Sequence, residues 1–410
     1  SIEGGTFEGG TAGGISISET TQNNAGNGTD QTQITVGGGN FSSDENTQTF
    51  ITNYTSGAYT TTVTDPETGT QTIVISNGTT PTTATSDFNI NNATSDESYD
   101  FSATTLSVSE QTLTTDLTLR DLVLTNTTNP VKFTIASGSK LEVNKLTMAA
   151  GNQIIVAAGG KLIVSGTTGV YAPSTSNIII EADGTNNTYG EFYFNPAVTS
   201  NKHPKATVQM VSKAYKDGST YRWQRFGVPA WGTMTPSEIL KEDAPTAYSY
   251  WDNEDNEWKG IAVADFGTFE MKPFVGFELT TTNTTPGAKY SFPCDLYGNV
   301  NVALTYRSRW NYFANSYTGG MDIKDMLLGV LAENSDKLDG GVFVHRTATN
   351  TWDGISYGDL DDDEAKQSKL DPMQAFIIYN RSSEAVNNAI DYEAVVWNHK
   401  IGRASCRERV

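Results

Sequence analysis

Ser137-Gly138-Ser139-Lys140-Leu141-Glu142-Val143 returns 21 residues later as Ala158-Gly159-Gly160-Lys161-Leu162-Ile163-Val164, with glycine, lysine, leucine and valine in the same places. Leu117-Thr118-Leu119, Leu122-Val123-Leu124 and Phe133-Thr134-Ile135 precede this pair; Leu146-Thr147-Met148 and Ile154-Ile155-Val156 lie inside it. Each unit is apolar-x-apolar, the period of a strand that buries one face. An antiparallel sheet would need hairpin turns such as Asn-Gly between the arms. Here Gly138 and Gly159 instead take the same corner of successive turns. The spacing therefore predicts a parallel β-helix of about 20 residues per coil, in which inward side chains stack on their equivalents one coil away. Helix is excluded by the density of threonine, valine and glycine.

The rest of the chain agrees with an all-β reading. Of 410 residues, 37% are hydrophobic and 18% charged, and the net charge is −20. Both fractions fall below those of ordinary globular chains, and the difference has gone to Thr, Ser, Asn and Gly. The acidic balance disfavours nucleic acid, whose phosphates need Lys and Arg. No apolar run approaches the length of a membrane-spanning helix. The last ten residues, 401–410, read as a translated short-read sequencing adapter, to be set aside like a fusion scar. Without them Cys294 stands alone and no intrachain disulfide is expected. Ser1 in place of Met suggests a removed leader or a fragment cut at both ends.

Residues 1–102 read as Gly/Thr/Ser-rich irregular coils or a linker. Gly4-Gly5-Thr6-Phe7 recurs there as Gly38-Gly39-Asn40-Phe41. Residues 103–190 are the regular coils. Beyond them charge and aromatic content rise, and a duplication appears. Arg222-Trp223-Gln224-Arg225-Phe226 parallels Arg309-Trp310-Asn311-Tyr312-Phe313 at an offset of 87. Tyr248 to Trp251 with Trp258 parallels Val342 to His345 with Trp352 at an offset of 94. Lys272-Pro273-Phe274-Val275 parallels Asp371-Pro372-Met373-Gln374 at an offset of 99. Three landmarks in one order predict two β-sandwich-like modules, at 191–300 and 301–400. Short helical inserts are expected at Thr235–Leu240, with Thr235 and Glu238 as a capping box, and at Asp322–Leu328.

These residues carry a family resemblance. The coils, then Ala206-Thr207-Val208-Gln209-Met210, then Arg222-Trp223 and Val228-Pro229, look like secreted surface proteins of the Bacteroidota. Trp310-Asn311-Tyr312-Phe313-Ala314-Asn315-Ser316-Tyr317 and Asp371-Pro372-Met373-Gln374-Ala375-Phe376 resemble two further segments of that group. The chain departs from it at Ser316, where the group has proline, and at Gly227, where it has serine. The resemblance implies an extracellular or cell-surface protein, exported by the type IX route through a sorting domain beyond residue 400. It also implies a structural or adhesive role, with glycans or other surface proteins as partners. No catalytic residues carry over.

Candidate sites are few. His203, His345 and His399 lack metal-ligand spacing, so no metal or triad chemistry is expected of them. Asp359, Asp361 and Asp363 alternate like the first positions of a calcium loop, so calcium is the one cofactor the sequence suggests. Glu364 and Leu370, however, stand where that loop needs glycine and glutamate. Asp252, Glu254, Asp255 and Glu257 crowd a hairpin turn that is too exposed to tune a glycosidase pair. The coils offer Arg120, Lys132, Lys140, Lys145 and Lys161 but few acids, which argues against a polysaccharide lyase. No enzyme is expected. Trp231 and Trp251 lack aromatic counterparts in the second copy, so they are the candidates for an exposed glycan platform. Trp258 and Trp352 are weaker candidates, because most of the duplicated aromatics are expected in the core.

Overall fold

The computed structural model describes residues 6–7, 39–42, 59–64 and 71–76. It also describes residues 81–399, apart from 167–168, 185–187, 196–202, 242–245, 253, 299–300, 332–333 and 363–366. The chain is all-β and its centre is a β-solenoid of about 4 turns. Thr82–Thr83, Tyr99–Asp100, Leu117–Leu124, Lys140–Met148, Lys161–Val164 and Glu191–Phe194 form one parallel wall. Gln111–Leu113, Lys132–Ile135, Gln153–Val156 and Ile178–Ile180 form the other.

The register is the one the repeat dictates. Lys140 pairs with Lys161, Leu141 with Leu162 and Val143 with Val164. Leu119, Val143, Val164 and Phe194 thus make one buried column, and Ile135, Val156, Ile180 and Val208 another. Each such side chain contributes about 1.5–3 kcal/mol by leaving water. Gly138 and Gly159 both turn the corner with positive φ, at 77° and 82°. A Cβ on Gly159 would also lie 2.5 Å from Ser137 Oγ.

A second corner is closed by asparagines. Asn126, Asn152 and Asn177 are fully buried. Asn152 Nδ2 donates to the carbonyls of Asn126 and Ala149, and its Oδ1 accepts from the Val131 amide. Asn177 Nδ2 repeats the motif on Ala149 and Asn152. Each side chain satisfies backbone groups of its own coil and of the coil before, where no ladder bond is available.

The stack reaches past both ends of 103–190. Parallel pairing already joins Thr82 to Tyr99 and still joins Ile180 to Val208. Strand Lys205–Val211 is both the last rung and the first strand of the duplicated region, because its other edge pairs antiparallel with Lys289–Asp295. That pairing caps the stack and hides an edge that would otherwise recruit another chain. In the first hundred residues Thr6 pairs with Asn40 and Phe7 with Phe41 in parallel, at the repeat seen in the sequence. Strands Gly39–Ser42, Gln71–Ser76 and Tyr59–Thr64 then pair antiparallel, unlike coils. Residues 401–410 lie outside the described residues.

The two copies share one topology. Gln224–Phe226, Phe277–Thr281, Thr246–Asp252 and Glu257–Ile261 form a four-stranded antiparallel sheet in that order. Arg309–Ala314, Ala375–Asn380, Gly341–Arg346 and Thr351–Ser356 repeat the order. The hairpin residues Asn256 and Asn350 both have positive φ, as do Phe274 and Met373. The bridges between copies are reciprocal: Phe226 meets Gln374, and its counterpart Phe313 meets Val275. The copies are thus related by a pseudo-twofold. The sandwich-like expectation holds only in part, since each copy supplies one sheet and the sheets meet each other across a seam.

The far face of each sheet enters a separate core. Phe226, Tyr248, Phe277 and Leu279 join the solenoid interior. Phe313, Val342, Val344, Phe376 and Ile378 pack with helix Ile323–Leu331 and with Ile163 and Tyr193 on the outside of the last coils. Gly319 lets the Tyr193 ring approach, since a Cβ there would sit 2.4 Å from it. The insert at Thr235 is only a 3-10 turn, Pro236–Glu238, with the expected bond from the Thr235 amide to Glu238 Oε2. The second insert is a true helix, with Asp322 Oδ1 capping the Asp325 amide.

Candidate functional site

The seam between the sheets gathers the least ordinary chemistry in the molecule. From the first sheet come Arg225 and Glu278, directly opposite on neighbouring strands, and the cross-strand pair Trp251 and Trp258. From the second come Tyr312 and the pair His345 and Trp352. These are duplicate positions: Arg225 corresponds to Tyr312, Trp251 to His345 and Trp258 to Trp352. Each reaches across to the other copy. Tyr312 packs on Trp251 with the rings tilted by 37° and their centroids 4.3 Å apart. In the reciprocal contact Arg225 Nη1 lies 2.9 Å from His345 Nε2 and 3.2 Å from its Nδ1. Asn350 Oδ1 lies 3.1 Å from the same Nε2.

The Arg225 guanidinium lies between two indoles, 5.6 Å from the ring of Trp258 and 5.6 Å from that of Trp352. Desolvated cation–π contacts of this kind reach about 2 kcal/mol. Its Nη2 sits 3.1 Å from Glu278 Oε2. Neither Glu278 Oε2 nor Arg225 Nε has a hydrogen-bond partner among the described residues. Glu278 is 5% exposed. Burial pushes its carboxyl up to about 7, against the pull of Arg225. Burial, then Arg225, pushes His345 down to about 4. The seam therefore holds a cation, a poorly solvated carboxyl and a neutral imidazole within one aromatic enclosure. That arrangement ties two sheets together through charge.

Sequence-predicted residues fare differently. Trp231 is 44% exposed, as expected, but the His203 imidazole stacks on it at 3.9 Å and 22°, covering part of the ring. Trp251 is half-buried, and its Nε1 donates to the Trp310 carbonyl at 3.2 Å. The expectation that it is exposed is corrected by its packing on Tyr312. Most duplicated aromatics are in the core, among them Phe226, Phe277, Phe313 and Phe376, but Trp310 is 40% exposed and Trp352 36%. Asp359 opens a helical turn, Asp359–Asp362, and its Oδ2 accepts from the Ser356 amide. The side chains of Asp361 and Asp363, also named for calcium, lie outside the described residues. In the acidic hairpin, Lys259 Nζ reaches Asp252 at 2.7 Å and also bonds Asp255. Lys259 holds the Asp252 carboxyl down at about 2.

Other groupings are invisible in the sequence. Asp121 and Lys145 face each other on successive coils, both buried. Burial pushes Asp121 up and Lys145 down to about 8. His399 Nε2 lies 2.6 Å from Asp325 Oδ2, and its Nδ1 3.5 Å from Asp322 Oδ2. The fold thus brings two carboxylates to a histidine that its sequence neighbours left alone. Each ring nitrogen is engaged, which fastens the turn Trp397–His399 to helix Ile323–Leu331. The one hint of the seam in the sequence is an acid, Glu278, among the apolar neighbours Phe277 and Leu279. No protein-family model, no curated protein and no solved structure matches the chain.

Proposed function

We propose that the protein is a non-catalytic structural or adhesive protein of the cell exterior, in which the coils project and the paired sheets make contact. The observation that carries this reading is the construction: an in-register stack whose last rung is continued by strand Lys289–Asp295. Among the described residues, two buried ionisable pairs are matched across strands, Asp121 with Lys145 and Arg225 with Glu278, in positions that join elements together. The resemblance to Bacteroidota surface proteins supports an extracellular location and the type IX route. The test is to immobilise the full chain and measure both retention of polysaccharides or cells and release of degradation products. Retention without product is the expected result. Product whose formation stops on changing a single ionisable residue would overturn it.

A further inference from the structure

One face of the second sheet carries a row of aromatic side chains, of which Trp310 is exposed and Tyr379 and Phe343 are half-buried. Trp310 pairs across strands with Tyr379, and Ile377 pairs on that face with both Tyr312 and Phe343. Phe343 in turn lies opposite Gly354. Trp310 is the exposed member. Tyr379 meets it edge-on at 4.7 Å and Phe343 at 5.7 Å. Two edge contacts at different strands fix the orientation of the indole, so little rotamer freedom remains for a ligand to remove.

Beside this row runs a groove of about 420 Å³, lined among others by Phe343, Gly341, Gly354, Asp339 and Asp359. The two glycines leave backbone within reach. Asp339 is held by Arg381, and Asp359 accepts from the Ser356 amide. A carboxylate has about four acceptor positions, so Asp339 retains capacity after its bond to Arg381. The first sheet offers no copy of the row, because the counterparts of Phe343 and Tyr379 are Ser249 and Thr280.

We infer that this face and groove bind a pyranose polysaccharide that carries no acidic groups, with a sugar ring against Trp310 and hydroxyls donating to Asp339. A pyranose offers an apolar C–H face and a rim of hydroxyl donors, which matches an oriented indole beside a carboxylate. Uronic and sulfated chains are disfavoured by the carboxylates of the groove and by the net charge of −20. The inference rests on the adhesive reading and gives it a ligand and an address.

Affinity electrophoresis of the full chain through gels containing uncharged glucan, mannan or xylan tests it, with alginate and pectin gels beside them. At least one uncharged polysaccharide is expected to retard the protein, and the acidic ones are not. Trp310→Ala is expected to weaken the retarding interaction about tenfold, while Trp310→Phe keeps part of it. Trp231→Ala should change nothing. An unchanged thermal midpoint in each variant separates lost contact from lost fold. Retardation that survives Trp310→Ala, or that is confined to acidic gels, overturns this site. Adhesion to some other surface without retardation in any uncharged gel also overturns the site, yet leaves the adhesive reading standing. Absence of adhesion to every surface overturns both.

Discussion

Phe133→Ala is expected to lower the stability of the solenoid by about 3–5 kcal/mol, as large-to-small changes at filled aromatic positions do. Phe133 is wholly buried, with the rings of Phe101 at 5.5 Å and Phe88 at 6.3 Å. It stacks on Ile154 of the next coil. Each coil touches only its neighbours, so no distant part of the core relaxes into the cavity. Coils from Thr82 to Leu113 lean on this ring, and they should unfold first. Urea titration followed by far-UV circular dichroism measures the loss. A change under about 1 kcal/mol would mean that the ring is not the filler these contacts make it.

Arg225→Ala is expected to cost about 3–5 kcal/mol at pH 8, because it leaves Glu278 charged, buried and without its counter-ion. The cost should shrink at pH 5, where Glu278 takes up a proton and no longer needs one. The wild-type seam has two opposed contributions. Glu278 holds its proton more tightly in the folded protein, with its carboxyl near 7 against 4.5 when unfolded. Its contribution to stability therefore falls as pH rises through that interval. His345 binds a proton more weakly when folded, near 4 against 6.5. Its contribution rises with pH over that interval. The two nearly cancel in between. Removing Arg225 unmasks the first, so the variant should be distinctly more stable at pH 5 than at pH 8. Thermal midpoints across that range decide it; an equal loss at both ends would contradict the charge account.

The solenoid was legible because stacking forces a period on the chain. Lys140 and Lys161 pair in space because a coil returns the backbone to the same wall after one turn. The duplication was legible for a similar reason: the hairpins must present Trp258 and Trp352 at the same register of equivalent sheets. What stayed hidden depends on the third dimension. Asn126, Asn152 and Asn177 stand at uneven spacings in a chain rich in asparagine, so nothing marks them as one column until the coils are stacked. Arg225 and His345 are 120 residues apart and meet only through the pseudo-twofold seam. The duplication alone groups Trp310 with the core aromatics, yet it is exposed. Duplication fixes where a residue stands on a sheet, yet not which face a neighbouring element will cover.

Disulfide trapping gives the sharpest check on coil-upon-coil stacking. With Cys294 and Cys406 replaced by serine, cysteines are introduced at Lys140 with Lys161, and separately at Thr118 with Glu142, both in-register pairs on adjacent strands. Adjacent strands lie about 4.8 Å apart, within bonding reach. Both pairs should therefore cross-link under mild oxidation, while cysteines at Thr118 with Lys140, two residues out of register, should not. Cross-linking of the mismatched pair with failure of the matched ones would contradict the stack on which the rest of this structure is built.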